Sequence, residues 1–373
     1  MKKILLIAAS AMMVFASCTK VNVNYPDNGQ PQEIAMFAVN KKATKAAVVD
    51  NAFLVGDNMR VSAYLASVAG STPASYFENI LFAKGTSPET MWVAGQYWPI
   101  SAATLNFVAV TQKGGGVELD ASKIVWTNTS GEEKFTVTVD YNTAANAEAS
   151  QAVEQTIAQS DIMYAYNRAS NKGDGTAPGA VGLVFKHALA WINFAFRSNV
   201  TTEETLVINS VELFAPYNGT LTVTPANYKE TDNTSKPLSV TAAWTNPAFL
   251  NLKVTNQSNG LAAVTDLADQ AEYTPFGNGM LVVPNTVAYT GNDKPYFVIN
   301  YSIKQGTEVK PYSYKHDLST VVWEMGKKYT YNININLHEI KVNPSVEVWD
   351  NKDEKGTEET TDDVNWGAEV PLG

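Results

Sequence analysis

The chain has 373 residues, of which 45% are hydrophobic, 10% aromatic and 17% charged, the composition of a folded protein and not of a disordered one. Its net charge of −10 and isoelectric point near 4.9 argue against a broad basic surface, so nucleic acid and anionic lipid headgroups are not expected partners.

The first element is Met1-Lys-Lys3, the apolar run Ile4 to Val14, and Phe15-Ala-Ser-Cys18. Two lysines, an apolar run too short to span a bilayer stably and small residues before position 18 describe a secretory leader. Cys18 is the only cysteine and cannot form an internal disulfide. Acylation of its thiol, as in a lipoprotein, accounts for it better than packing does; an ordinary secretory signal with an incidental cysteine is the alternative. Ala16 and Ser17 suit lipoprotein processing, whereas Phe15 stands where leucine is usual. More than one acyl chain would anchor the protein durably. Removal of the leader leaves 355 residues (373 minus 18), enough for two domains.

Thr, Val, Asn and aromatic residues dominate the body, in short alternating runs between Gly, Pro, Asn and Asp, the pattern of antiparallel sheets. Along Tyr329 to Ile340 the residues Tyr329, Tyr331, Ile333, Ile335 and Leu337 fall on one face, and Thr330, Asn332, Asn334, Asn336 and His338 on the other. Similar alternation occurs at Phe135 to Tyr141, Val207 to Leu213, Leu221 to Thr224 and Phe297 to Ile303. Strands at this spacing predict β-sandwiches. One helix is expected between Ala144 and Gln159, where Ala147, Ala149, Val153 and Ile157 recur at helical spacing. The Gly-rich stretch Asn167 to Gly179 reads as an interdomain linker or a long surface loop, and Val181 to Phe196 as the start of a second domain's sheet.

Catalytic chemistry has little support. His187, His316 and His338 are far apart, none lies in an HExxH arrangement, and there is no second cysteine for a zinc site, so no metal or cofactor is expected. Gly114-Gly-Gly116 is followed by Val117-Glu-Leu119 and not by a lysine-bearing helix, so it reads as a hairpin turn. Glu132-Glu133 and Glu203-Glu204 lie in polar, turn-like sequence and read as solvated, although a glycosidase also needs two facing carboxylates. Trp92, Tyr97 and Trp98 suit either a sugar platform or, more commonly, a sandwich core.

Several segments follow one another in a telling order: the leader; Ile34-Ala-Met-Phe-Ala-Val39 and Thr44-Lys-Ala46; Phe53-Leu-Val-Gly-Asp57 and Val61-Ser-Ala-Tyr64; Gln96-Tyr-Trp-Pro99 and Leu105-Asn-Phe107. Asp161-Ile-Met-Tyr-Ala165, Leu183 to Ala190, and Trp323 through Gly326 to Tyr329-Thr-Tyr331 continue the series. Through almost its whole length the chain thereby resembles the fimbrillin-like proteins of Bacteroidales, the subunits of type V pili. Each segment alone is an ordinary strand or turn; their shared order carries the resemblance.

The resemblance implies a mostly β chain of two transthyretin-like β-sandwich domains, with the short helix in the N-terminal one. Residues 1–18 would be the leader, 19–45 a propeptide with a removable first strand, 46–175 the N-terminal sandwich, 176–349 the C-terminal sandwich, and 350–373 an acidic flexible tail that is a possible donor strand. It also implies a non-enzymatic subunit at the outer membrane and cell surface, built into a fimbrium that supports adhesion. A trypsin-like protease would remove the first strand, and a strand of another subunit would fill the groove by β-augmentation. The removed strand is placed at Glu33 to Asn40, where Ile34, Met36 and Ala38 alternate with Ala35, Phe37 and Val39. Cleavage is expected after Lys45, with Lys41 and Lys42 as alternatives; many relatives carry arginine there, and Arg60, the first arginine, lies in an expected strand. The donor comes from Val342 to Trp349, including Val342, Val346 and Val348, or from Val364 to Leu372, including Val364, Trp366 and the pair Glu369-Val370. Expected partners are other pilin subunits, the protease and the outer membrane through the lipid, with a host protein or glycan as a further candidate. A non-polymerising surface lipoprotein adhesin or glycan-binding tip subunit is the alternative role, and an uncut, lipidated chain would serve as a membrane anchor.

Overall fold

The computed structural model of the chain describes residues 32–38, 58–65, 74–84, 91–99, 104–113, 119–129, 134–143, 159–170, 179–198, 203–225, 240–255, 273–277, 279–285, 293–336 and 339–349. All lie in one compact unit within 32–373. In chain order the strands are β1 (Glu33–Ala38), β2 (Asn58–Leu65), β3 (Ser75–Lys84), β4 (Trp92–Tyr97), β5 (Thr104–Lys113), β6 (Ile124–Thr129) and β7 (Lys134–Asn142). There follow β8 (Asp161–Ser170), β9 (Ala180–Leu183), β10 (Lys186–His187), β11 (Ala190–Ser198), β12 (Glu204–Pro225) and β13 (Val240–Thr255). The last are β14 (Thr274–Pro275), β15 (Met280–Val282), β16 (Tyr296–Gln305), β17 (Glu308–Asp317), β18 (Lys327–Ile335) and β19 (Ile340–Val348). Among the described residues the only helical element is the 3-10 turn Ala121–Lys123, and no helix is long and apolar enough to cross a membrane. The mostly β, sandwich-like expectation holds. The helix expected at 144–159 lies, except for Gln159, outside the described residues.

The first sheet has eight strands in the order β10-β8-β5-β2-β3-β4-β1-β9. It curls around its own core, in which Met59, Val61, Phe82, Trp92, Leu105 and Phe107 are all at most 1% exposed. The curl brings β9 back towards β8, where the Asn167 side-chain amide donates to the Gly182 carbonyl. A second sheet orders β14-β11-β18-β19, with β15 also on β11, and a third orders β17-β16-β12-β7-β6, with β13 on β12. The second and third sheets pack face to face, for example Phe194 edge-on to Phe297 with ring centres 5.2 Å apart. The third sheet also packs on the outside of the first, through Val137, Val139, Leu221 and Val223 against Val108, Val110 and Ile162.

The 22-residue β12 makes this double duty possible. It pairs with β16 up to Phe214 and with β7 from Asn218. Bulges around Pro216 and Asn218, where Tyr217 is fully buried and its hydroxyl donates to Leu213 O at 3.1 Å, bend the strand between the two packing partners. Strands from both sides of residue 175 therefore share the third sheet.

Four expectations change in detail. The run from Val181 to Phe196 does not enter one sheet: Ala180–Leu183 and Lys186–His187 complete the first sheet, and only Ala190–Ser198 belongs to the second. Asn167 to Ser170 are not loop but the end of β8, paired with β5 as far as Ser170 opposite Thr104. The Tyr329 to Ile340 run breaks after Ile335: the Asn336 side-chain oxygen accepts from Glu339 N at 2.7 Å, and Ile340 begins a new strand that runs back along the first. Asn334 on the polar face is buried, not wet.

Candidate functional site

Strand β1 carries the chain's most unusual arrangement. Its residues are apolar on both faces, and both faces are covered: Ile34 and Met36 are fully buried in the first sheet's core, and Phe37, pointing the other way, is 2% exposed. Both its edges are paired as well. On one side it runs antiparallel to β4, with Ala35 opposite Val93 and Met36 opposite Trp92. On the other it runs parallel to β9, from Ala35 opposite Ala180 to Ala38 opposite Leu183. Only β2, some twenty residues later, continues the chain, so β1 is an inserted strand whose sole covalent link to the rest of the sheet passes through residues 39–57.

At its N-terminal end Trp98 N donates to Gln32 O at 2.9 Å and Ala35 N to Gly179 O at 3.3 Å. Gly95 N donates to the Glu33 carboxylate at 3.0 Å, and the buried Trp98 indole N–H to Gly179 O at 3.1 Å. Withdrawal of β1 would strip the inward pairing from β4, which otherwise holds β3 only at Val93 and Trp92, and from β9. The result is an apolar cleft between two unpaired edges, the template that an extended segment satisfies.

Gly179 seats the strand. Its φ of +77° is a left-handed conformation, and a Cβ there would sit 2.8 Å from Glu33 O and 2.9 Å from the Gln32 side-chain nitrogen. Gly179→Ala is expected to cost about 1–3 kcal/mol and to fall on β1 selectively. Hydrogen exchange of residues 33–38 should accelerate while residues 296–305 keep their protection.

A fimbrillin-like family profile matches residues 44–349. The chain belongs to the fimbrillin-like family. Among solved structures it is similar to a fimbrial protein from Bacteroides vulgatus, with 17% identity over 85% of this chain and 99% of that one and a TM-score of 0.52. It is also similar to a cell adhesion protein from Bacteroides uniformis (17% identity, 85% and 99% covered, TM-score 0.45) and to a fimbrial assembly protein from Parabacteroides distasonis (10% identity, 86% and 96% covered, TM-score 0.34). The first of these is a likeness of fold. No curated protein matches.

In this fimbrillin-like chain β1 lies before the matched region. Cys18, Lys41, Lys42, Lys45, Val364, Trp366, Glu369 and Val370 lie outside the described residues, as does the side chain of Ala38. All three arginines of the sequence, Arg60, Arg168 and Arg197, fall within strands. Arg60 is on β2 between β3 and β5, and its guanidinium donates to Leu119 O at 3.0 Å and Asn79 O at 3.3 Å. Cleavage there would cut a central strand.

Towards the other end of the chain β19 is an edge strand among the described residues, where it pairs with β18 alone over nine positions. Val342 and Val346 are half-buried against the core between the second and third sheets, and Val348 is 66% exposed. Trp349 lies over His187 with ring centres 3.8 Å apart and a 12° angle, and its backbone N–H donates to Gly326 O at 2.7 Å. His187 Nδ1 meets the Asp161 carboxylate at 2.6 Å, both side chains being buried. Burial pushes the nearby Tyr141 hydroxyl far above its usual range, with Ser160 hydrogen bonding opposing the shift and the Asp161 charge adding to it. Residues 161, 187 and 349 are too dispersed for sequence reading to unite them.

Of the remaining candidates, His316, Trp92 and Trp98 are packing residues. His316 stacks on Phe297 with ring centres 4.9 Å apart, and burial lowers its pKa, which favours a neutral ring. Trp92 and Trp98 are core residues at 1% and 5% exposure, so they are not a sugar platform; Tyr97 alone is exposed. His338, Gly114 to Gly116 and Glu132-Glu133 lie outside the described residues, and Glu203 is exposed in a turn before β12. Among the described residues no three His, Cys, Asp or Glu side chains converge to hold a metal.

Proposed function

We propose that this chain is a structural subunit of a cell-surface fimbrium, exported to the outer membrane as a lipoprotein acylated at Cys18. Cleavage after Lys45, or after Lys41 or Lys42, frees β1, and a strand from another copy takes its place. The observation that carries this reading is β1 itself: a two-faced apolar strand, bonded along both edges, whose only covalent connection to the sheet crosses the lysine-bearing segment.

The donor is the end of β19. Val346-Glu-Val-Trp349 repeats the order of Ile34-Ala-Met-Phe37, two apolar residues two apart followed by an aromatic one. A strand with this order sends its first and third side chains to the sockets of Ile34 and Met36 and its aromatic ring to that of Phe37. As an edge strand held by one neighbour, β19 gives up fewer interactions on leaving than any central strand would.

The test is proteolysis of the soluble Cys18→Ser precursor. An arginine-specific protease should leave the folded protein intact, since every arginine is in a strand. A protease that accepts lysine should generate a new N-terminus at or near Ala46 by mass spectrometry, followed by a ladder on an unboiled SDS gel. A chain cleaved there that stays monomeric under assembly conditions overturns polymerisation and favours the adhesin reading. A chain that resists both proteases points to the anchor role.

A further inference from the structure

The two ends of the proposed exchange, the groove and the donor, are physically linked within one copy. Strand β9, which pairs with β1, continues through Val184 and Phe185 directly into β10. Phe185 packs on the same core as Ile34 and Met36. Two residues later His187 pairs with Met163 of β8 and grips the Asp161 carboxylate at 2.6 Å, and Ala188 N donates to Ile162 O at 3.0 Å. Trp349, the residue directly after β19, is stacked on that imidazole and leans on Trp191 at 5.4 Å. Occupancy of the groove by β1 and seating of the C-terminal strand therefore share eight consecutive residues, 180–187.

We infer that the Trp349–His187–Asp161 stack is an autoinhibitory latch: it holds the donor strand on its own subunit while β1 fills the groove, and loosens when β1 leaves. Once β1 is gone, β9 loses its ladder partner and the core on which Phe185 packs loses Ile34 and Met36, so that residues 180–187 are restrained by β8 without the second support and His187 is held less firmly beneath the indole. A latch of this kind keeps an unprocessed copy from donating its strand prematurely. The purpose of the latch rests on the strand-exchange reading; the coupling itself is a property of a single copy and is measured without assembly.

Hydrogen exchange with mass spectrometry on the monomeric Cys18→Ser protein tests it. Expelling β1 by Met36→Asp should speed exchange of residues 186–190 and 340–348 at least tenfold while residues 296–305 stay as in the parent. Because coupling is reciprocal, Trp349→Ala and His187→Ala in the otherwise intact chain should each speed exchange of residues 340–348 and also of residues 33–38. The latch is overturned if exchange of β1 and β9 rises in the Met36→Asp protein with residues 340–348 unchanged. Should that protein fail to fold, it is equally overturned if His187→Ala leaves residues 33–38 and 340–348 at parent rates. Polymers without this coupling would remove the latch alone, and coupling without polymers would remove the exchange reading alone.

Discussion

Met36→Asp will expel the first strand from its sheet without unfolding the rest of the protein. Met36 is fully buried, with Trp92 opposite it on β4 and Val181 opposite it on β9. A carboxylate at that position is driven into the apolar core of the first sheet, at a cost on the order of 3–5 kcal/mol, or it stays protonated and still gives up the apolar packing of the methionine. That penalty falls on a six-residue strand with no covalent closure other than residues 39–57, so detaching β1 is cheaper than global unfolding. The sandwich of the second and third sheets shares no side chain with the Met36 cluster and should keep its cooperative melt. The functional consequence is large: a groove emptied by substitution should accept another copy's strand with no protease present. Met36→Ala, which leaves a cavity and no charge, should cost less than the buried carboxylate and leave β1 in place. Thermal melts, exchange of residues 33–38 and unboiled SDS gels of the two variants distinguish these outcomes.

Trp323→Ala has the opposite character, because it attacks the core between the second and third sheets and not the groove that β1 fills. Trp323 is fully buried where the chain turns into β18; its indole N–H donates to the Tyr331 hydroxyl at 3.2 Å, and its backbone N–H to the Asn285 side chain at 2.9 Å. Loss of the indole leaves a cavity costing about 3–5 kcal/mol. The Tyr331 hydroxyl, itself fully buried, also loses its indole donor, which adds about 1–3 kcal/mol. Chemical denaturation should show the midpoint falling with the slope preserved, and loss of structure should spread through the second and third sheets together, since Tyr331 contacts both Phe194 and Phe297.

The β class was legible because it rests on local alternation, which a one-dimensional pattern carries directly: Phe297, Ile299, Tyr301 and Ile303 are the inward face of β16, and Tyr329 to Ile335 that of β18. The two-faced character of Ile34 to Phe37 was equally legible, since a strand covered on both sides lacks polar alternation. Partner choice was not. Nothing local in Ala180 to Leu183 says that this segment returns to pair with β1 while Ala190 onward joins a different sheet, because that choice is made by strands 145 and 137 residues away (180 − 35 and 328 − 191). The change of partner along β12 is invisible for the same reason, although Pro216 and Asn218-Gly219 mark the place where it occurs. The Trp349, His187 and Asp161 stack joins three distant segments, and each residue alone reads as ordinary packing.

The central claim is that β19 of one copy replaces β1 of another, and a disulfide trap tests it most directly, since Cys18 is the only native cysteine and its replacement leaves a cysteine-free background. In the native sheet Ala35 lies opposite Val93. With Val346, Val348 and Trp349 in the sockets of Ile34, Met36 and Phe37, Glu347 takes the place of Ala35. The Cys18→Ser, Val93→Cys, Glu347→Cys protein should therefore run as monomer on a non-reducing denaturing gel before cleavage, and as a reducible ladder of multiples once β1 has been excised. Monomer throughout, or an equal ladder before and after excision, would contradict the exchange.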